Sequence, residues 1–217
     1  MSDFMMGKIK FNNYFQEMWA SAFGDNYTDR CRVDYQPRIK MFRELLDGVD
    51  FDSVLECGCN MGHNLMAISE IGNENTQKDI QGIDINEHSI KGAVIPKGRI
   101  VLGSIYELPW IDKSFDLVMT AGVLIHIPKE NLNRAMKEMH RVSKKYVLCI
   151  EHIEKEDRAI NYRDFEGREG MWPRNYTKLW KDNFNVKVIK EGDMKDFGVD
   201  DGWNFSTSCQ YVILEKV

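Results

Sequence analysis

The stretch SVLECGCNMGHNLMAISEI, residues 53–71, decides the fold. An apolar run, a break at two glycines and apolar residues at helical spacing predict a strand, a tight loop and a helix in that order. The same alternation continues downstream. IQGIDI reads as a strand, EHSIKGAV as a helix, RIVLG and SFDLVMTA as further strands, KENLNRAMKEMHRVS as a helix and KKYVLCIE as a fifth strand. Strands alternating with helices require crossovers, so a mostly parallel α/β sheet is expected. After Glu151 a polar stretch around residues 152–176 precedes a helix at YTKLWKDN and two closing strands, FNVKVIKEG and SCQYVILEK. Insertions of that length in a compact domain are often functional.

Upstream, Phe11, Tyr14, Phe15, Met18, Trp19, Ala22 and Phe23 recur at steps of three and four, predicting one amphipathic helix that stops near Gly24. A second helix is expected from Pro37 to Gly48, through Ile39, Phe42, Leu45 and Leu46. Residues 1–35 are read as a helical lid and residues 36–217 as one domain.

Composition narrows the function. A hydrophobic content of 43% with 29% charged residues suits a soluble globular chain, and the longest low-charge run, LVMTAGVLIHIP, is too short to span a bilayer. The start lacks an apolar segment with a cleavage site, and the five cysteines are odd in number and scattered; a cytoplasmic protein with reduced thiols is expected. A net charge of −5 and a pI near 5.6 disfavour a nucleic-acid partner.

The composition of the loop at residues 56–62 admits three kinds of site. Cys57 and Cys59 have no second pair at zinc spacing, so no metal is expected there and buried free thiols are the plainer reading. Gly58, Asn60 and Gly62 do not make the G-x-G-x-x-G of a dinucleotide loop, and Glu56 at the strand's end would repel a pyrophosphate. A carboxylate there favours a cation instead. A ligand with an ammonium group that passes close to glycine backbone and offers a ribose to a second acid fits, and S-adenosylmethionine is such a ligand. Asp84 is that second acid, placed to accept from both ribose hydroxyls. Ser104 and Ile105, after the third strand, are placed for the adenine edge and ring face, with Gly103 beside them.

In this order the motifs VLECGCNMG, GIDINE, GSIYELPW and FDLVMTAGVLIHI resemble the class I S-adenosylmethionine-dependent methyltransferases. FQEMWASAFGDNYTDR, GVLIHI and the Tyr-Arg pair followed by Arg-x-aromatic in NYRDFEGREGMWPRNY are most similar to the pseudaminic acid biosynthesis-associated methylases. The resemblance implies a Rossmann-like seven-stranded sheet with helices on both faces and an antiparallel last strand, carrying cofactor across the C-terminal ends of strands one to four. It implies Glu56, Gly58, Asn60, Gly62, Asp84, Ser104 and Ile105 as cofactor contacts, and Ile85 and Thr120 are assigned with them. It also implies a small polar acceptor, an amino sugar or amino-acid-like group of a surface or flagellar glycan precursor, methylated on N or O.

Methyl transfer from a sulfonium asks the protein to align the acceptor and exclude water. A hydroxyl acceptor also needs a general base, and a neutral amine does not. His126, just beyond strand four, and His152, after strand five, are the candidate bases. Glu151 is placed to hold a substrate ammonium. Tyr27 and Arg30 are expected to fold over the cofactor, the arginine meeting its carboxylate. Trp19 and Phe23 are read as packing. Tyr162, Arg163 and Arg174 are assigned to an acceptor bearing phosphate or carboxylate, and Arg168 to a solvated loop. A dinucleotide-dependent oxidoreductase and a cofactor-binding protein without catalysis stand as the alternative functions.

Overall fold

In the computed structural model of the chain, the residues described are 11, 13–71, 78–153, 160–161, 169–198 and 209–217. Seven strands form the main sheet: β1 (Ser53–Cys57), β2 (Asp79–Asp84), β3 (Ile100–Leu102), β4 (Phe115–Ala121), β5 (Ser143–His152), β8 (Val186–Asp193) and β9 (Cys209–Lys216). Their spatial order is β3-β2-β1-β4-β5-β9-β8. The first five run parallel, and β9 enters antiparallel between β5 and β8. The last strand is antiparallel, as expected. A two-stranded hairpin of β6 (Ile160–Asn161) and β7 (Glu169–Met171) lies in the segment read as irregular.

Period-two alternation divides the strands between two cores. Val54, Leu117, Leu148 and Ile213 face one side, packed with Met41, Phe42, Leu45, Leu65 and Ile68 from α3 (Gln36–Leu45) and α4 (His63–Ser69). Leu55, Val118, Val147 and Val212 face the other, against Leu132, Met136 and Met139 of α6 (Lys129–Val142) and Trp180 of α7 (Tyr176–Asn183). Both faces are covered, which is why these strands read as continuous apolar runs. The short α5 (Glu87–Lys91) joins the first face through Ile90.

The N-terminal segment corrects one expectation. Instead of one helix ending near Gly24, the chain forms α1 (Tyr14–Trp19) and α2 (Ala22–Arg30), with Gly24 inside the second. Ser21 causes the break: its Oγ donates to the Met18 carbonyl and accepts from the Phe23 amide, capping α2. Gly24 is needed for close approach, since a Cβ there would lie 1.9 Å from the Trp19 carbonyl oxygen. Glycine marks the contact of two helices here, not the end of one.

Candidate functional site

At the C-terminal ends of β1, β2, β3 and β4, where the strand order reverses between β1 and β4, the chain leaves a crevice of the kind open α/β sheets use for ligands. It encloses about 1120 Å³ counted with its open mouth. Its floor comes from the loops after these strands, and α1 and α2 supply Phe15, Gln16, Trp19, Tyr27 and Thr28 to its cover.

The loop after β1 takes its shape from the backbone. Gly58, Asn60 and Gly62 all have positive φ, at 72°, 50° and 84°. The Gly58 and Cys59 amides donate to the Ile83 carbonyl at 2.7 and 3.2 Å, locking the loop onto β2. A Cβ on Gly58 would come 2.5 Å from Val123 Cγ2, so a side chain there would meet the loop after β4. Cys59 packs on Gly82, where a Cβ would lie 2.5 Å from its sulfur. Burial raises the thiol pKa of both Cys57 and Cys59 well above the ordinary value. Among the described residues, no group of three or more His, Cys, Asp or Glu is arranged to hold a metal ion.

Glu56 is 2% exposed and lines the crevice. Its Oε1 accepts from Asn64 Nδ2 at 2.7 Å, and Asn64 Oδ1 accepts from Arg38 Nη1 at 2.8 Å. Its Oε2 is buried with no hydrogen-bond partner among the described residues. Burial pushes its pKa to about 8, against the opposing pull of Asn64 and of the Arg38 charge. Asp84 is also buried; its Oδ2 accepts from the Asn60 amide at 2.7 Å and its Oδ1 from the Asn86 amide at 2.8 Å. Its pKa is raised by burial, which these backbone amides partly offset. Asn86 joins several parts: its Oδ1 caps α5 through the Ser89 amide, and its Nδ2 donates to the Trp19 carbonyl and to Asp25. Asn60 reaches Thr28 at 3.2 Å, and Gln16 donates to Ser104.

Arg38 lines the crevice with 1% exposure, and sequence reading passed over it. The signal was present: Arg38 lies on the same stripe as Met41, Phe42 and Leu45, so a cation falls on the buried face of α3. Arg30, expected in that place, is exposed and does not line the crevice.

Of the other expected contacts, Tyr27, Ile85, Ser104, Ile105 and His126 line the crevice, while Gly62 does not. Thr120 is fully buried and absent from the lining, in a β4 covered on both faces. Trp19, read as packing, lines the crevice and meets the His126 ring at 4.9 Å. His126 Nδ1 is 2.8 Å from the Gly170 carbonyl, which can only accept, so Nδ1 carries the hydrogen and the neutral ring keeps its lone pair on Nε2. Burial lowers its pKa to about 4. His152 is half-buried at the end of β5, outside the lining, with its pKa also lowered by burial.

Glu151 and Arg174 are each 1% exposed and neither lines the crevice. Glu151 accepts from the Val123, Leu124 and Ile125 amides at 3.1, 3.0 and 3.2 Å. Burial raises its pKa to about 7 against those bonds. Arg174 Nη1 donates to the Leu124 and Ile127 carbonyls at 3.3 and 2.9 Å. Both charges are engaged by backbone rather than aimed at a substrate. Tyr162, Arg163 and Arg168 lie outside the described residues.

Comparison with known proteins agrees with this architecture. Residues 55–150 match the family model described as a methyltransferase domain. A protein of Encephalitozoon cuniculi (strain GB-M1) that bears a methyltransferase name is 30% identical over 170 residues, 76% of each chain. Two solved structures share the fold. The magnesium protoporphyrin IX methyltransferase of Synechocystis PCC 6803, with S-adenosylmethionine bound, has a TM-score of 0.61 at 16% identity, covering 93% of this chain and 95% of that one. The 1,6-didemethyltoxoflavin-N1-methyltransferase of Burkholderia thailandensis has a TM-score of 0.65 at 10% identity, covering 93% and 87%.

Proposed function

The chain belongs to the S-adenosylmethionine-dependent methyltransferases, and on that premise we propose that it methylates a hydroxyl or amine of a small polar acceptor, with His126 as the base when the acceptor is a hydroxyl. The observation that carries the reading is the pair of buried acids at the tips of β1 and β2, with Glu56 Oε2 still lacking a partner.

The residues present fit the cofactor. Glu56 suits an ammonium and Arg38 a carboxylate, so the amino-acid end of the ligand would lie near the start of α3 and α4. Asp84 accepts from the Asn60 amide on Oδ2 and the Asn86 amide on Oδ1, and a carboxylate has further lone pairs to offer ribose hydroxyls. Ser104 and Ile105 line the side assigned to the adenine. When bound, S-adenosylmethionine supplies an activated methyl group on a cationic sulfur.

The rest is the work of the chain. Helices α1 and α2 act as a lid; Phe15, Trp19 and Tyr27 exclude water from the reacting centre, and Gln16, Asn60 and Asn86 fasten the cover to the floor. His126 Nε2 takes the proton of a hydroxyl acceptor. Because its pKa lies near 4, it is neutral, and so able to accept that proton, throughout the physiological range.

For the acceptor we favour an amino sugar or amino-acid-like group of a surface or flagellar glycan precursor, met in the cytoplasm. That reading is supported by the likeness of residues 15–30 and 122–127 to the pseudaminic acid-associated methylases. The test is S-adenosylhomocysteine release from the pure protein with separate panels of amino sugars and hydroxylated aromatic or sugar acceptors. Release with an amino sugar supports the assignment, and release confined to the other panel replaces it.

A further inference from the structure

Two buried charges remain without a part in the chemistry, and both act on the turn that carries His126. That 3₁₀ turn, Leu124–His126, has no side-chain cap of its own. A helical turn leaves N–H groups unpaired at its start and carbonyls unpaired at its end. Glu151, reaching from β5, takes the N–H groups of Val123, Leu124 and Ile125 on its two oxygens. Arg174, reaching from beyond β7, donates to the Ile127 carbonyl and to the Leu124 carbonyl, which also accepts the Ile127 amide within the turn. Carboxylate at the N–H end and guanidinium at the carbonyl end is also the arrangement that the peptide dipoles favour. The segment holding Arg174 also supplies the Trp172 amide to the Ile125 carbonyl at 2.7 Å, and the Gly170 carbonyl that fixes the hydrogen on His126 Nδ1.

Burying two charged side chains is costly, and well-packed apolar residues would fill the same volume as stably or more so. What apolar residues lack is a grip on five backbone groups of one short turn. We propose that Glu151 and Arg174 are positioning residues that clamp this turn from its two ends, and so hold the His126 imidazole in one orientation and one tautomer at the crevice. The inference rests on the reading of His126 as the group that meets the acceptor, but its test does not need an acceptor.

The experiment is nitrogen NMR of protein carrying ¹⁵N-histidine, saturated with S-adenosylhomocysteine, for the wild type, Glu151→Gln, Arg174→Met and Arg174→Lys. In the wild type His126 shows one protonated Nδ1 and one unprotonated Nε2. Glu151→Gln keeps the size of the side chain but turns an NH₂ toward amides that already donate, and Arg174→Met removes both carbonyl contacts. Each is expected to give His126 averaged or doubled nitrogen signals, while the affinity for S-adenosylhomocysteine stays within about threefold of wild type. Arg174→Lys keeps the charge on a shorter, non-planar head and falls between. Wild-type His126 signals in both Glu151→Gln and Arg174→Met overturn the proposal. So does a change seen only together with loss of ligand binding in all three variants, which makes the charges general supports of the fold. If the His126 signals respond as expected while His126→Gln transfers methyl groups at the wild-type rate, the clamp stands and the reading of His126 as base falls.

Discussion

Replacing Glu56 by Gln separates the stability of the empty protein from its affinity for ligand. In the folded chain the Glu56 pKa stands at about 8 because the side chain is buried, against an ordinary value of 4.5. Between those two values the folded state keeps a proton that the unfolded chain has released. Stability therefore falls as pH rises through this window, by up to about 1.4 kcal/mol per pH unit and roughly 5 kcal/mol in all. Glutamine retains the acceptor for Asn64 Nδ2 and removes the ionisation. Glu56→Gln is then expected to match the wild type within about 1 kcal/mol at pH 5 and to exceed it by several kcal/mol at pH 8. Glu151, also raised by burial, slopes the same way in both proteins and cancels in the difference. At the same time the neutral amide loses its attraction for an ammonium group, and S-adenosylhomocysteine binding at pH 8 weakens by about 1.5–3 kcal/mol. Urea unfolding from pH 5 to 8.5 reads the first effect, and calorimetric titration reads the second. Parallel pH profiles for the two proteins would refute the buried-acid reasoning. Unchanged affinity would remove Glu56 from the ligand site.

Other substitutions test neighbouring parts of the account. Gly58→Ala places a methyl 2.5 Å from Val123 Cγ2 at a φ of +72°, and should lower stability by about 1–3 kcal/mol and impair ligand binding; thermal unfolding with and without S-adenosylhomocysteine measures both. Asn86→Ala removes the cap of α5 and two ties to the N-terminal helices, so a loss of about 1 kcal/mol is expected, with faster proteolysis within residues 13–31. With a hydroxyl acceptor, the rate should show no histidine inflection between pH 6 and 8, because His126 protonates only near pH 4; an inflection near 6.5 that disappears in His126→Gln would contradict its burial.

The main sheet was legible because each strand is a short apolar run ended by glycine or a polar turn, and because strands buried on both faces need no alternation. The crevice lining was legible for the same reason: Glu56, Asp84 and Ser104 stand at or just beyond strand ends, and strand ends are visible in sequence. The N-terminal helices were not separable by periodicity, since Ser21 breaks them through its side chain and Gly24 sits at their contact. Glu151 and Arg174 looked like substrate contacts because a charge at a strand end or in a loop is usually solvated or binding something. Their partners are backbone groups 26 to 50 residues away in sequence, a tertiary arrangement that no local pattern records. Arg38 was the reverse case, a crevice-lining residue inside a regular helix, marked only by a cation on an apolar stripe.

If the proposed reading holds, a cationic sulfur nucleoside with an amino-acid end lies between the two acidic strand tips. Calorimetric titration of the wild type and Asp84→Ala with S-adenosylmethionine, and of the wild type with NADH, tests it most directly. Saturable binding of S-adenosylmethionine is expected, weakened by about 1–3 kcal/mol in Asp84→Ala, with no binding of NADH. Equal affinity of both proteins for S-adenosylmethionine, or tight NADH binding in place of it, would rule out a sulfonium nucleoside between Glu56 and Asp84.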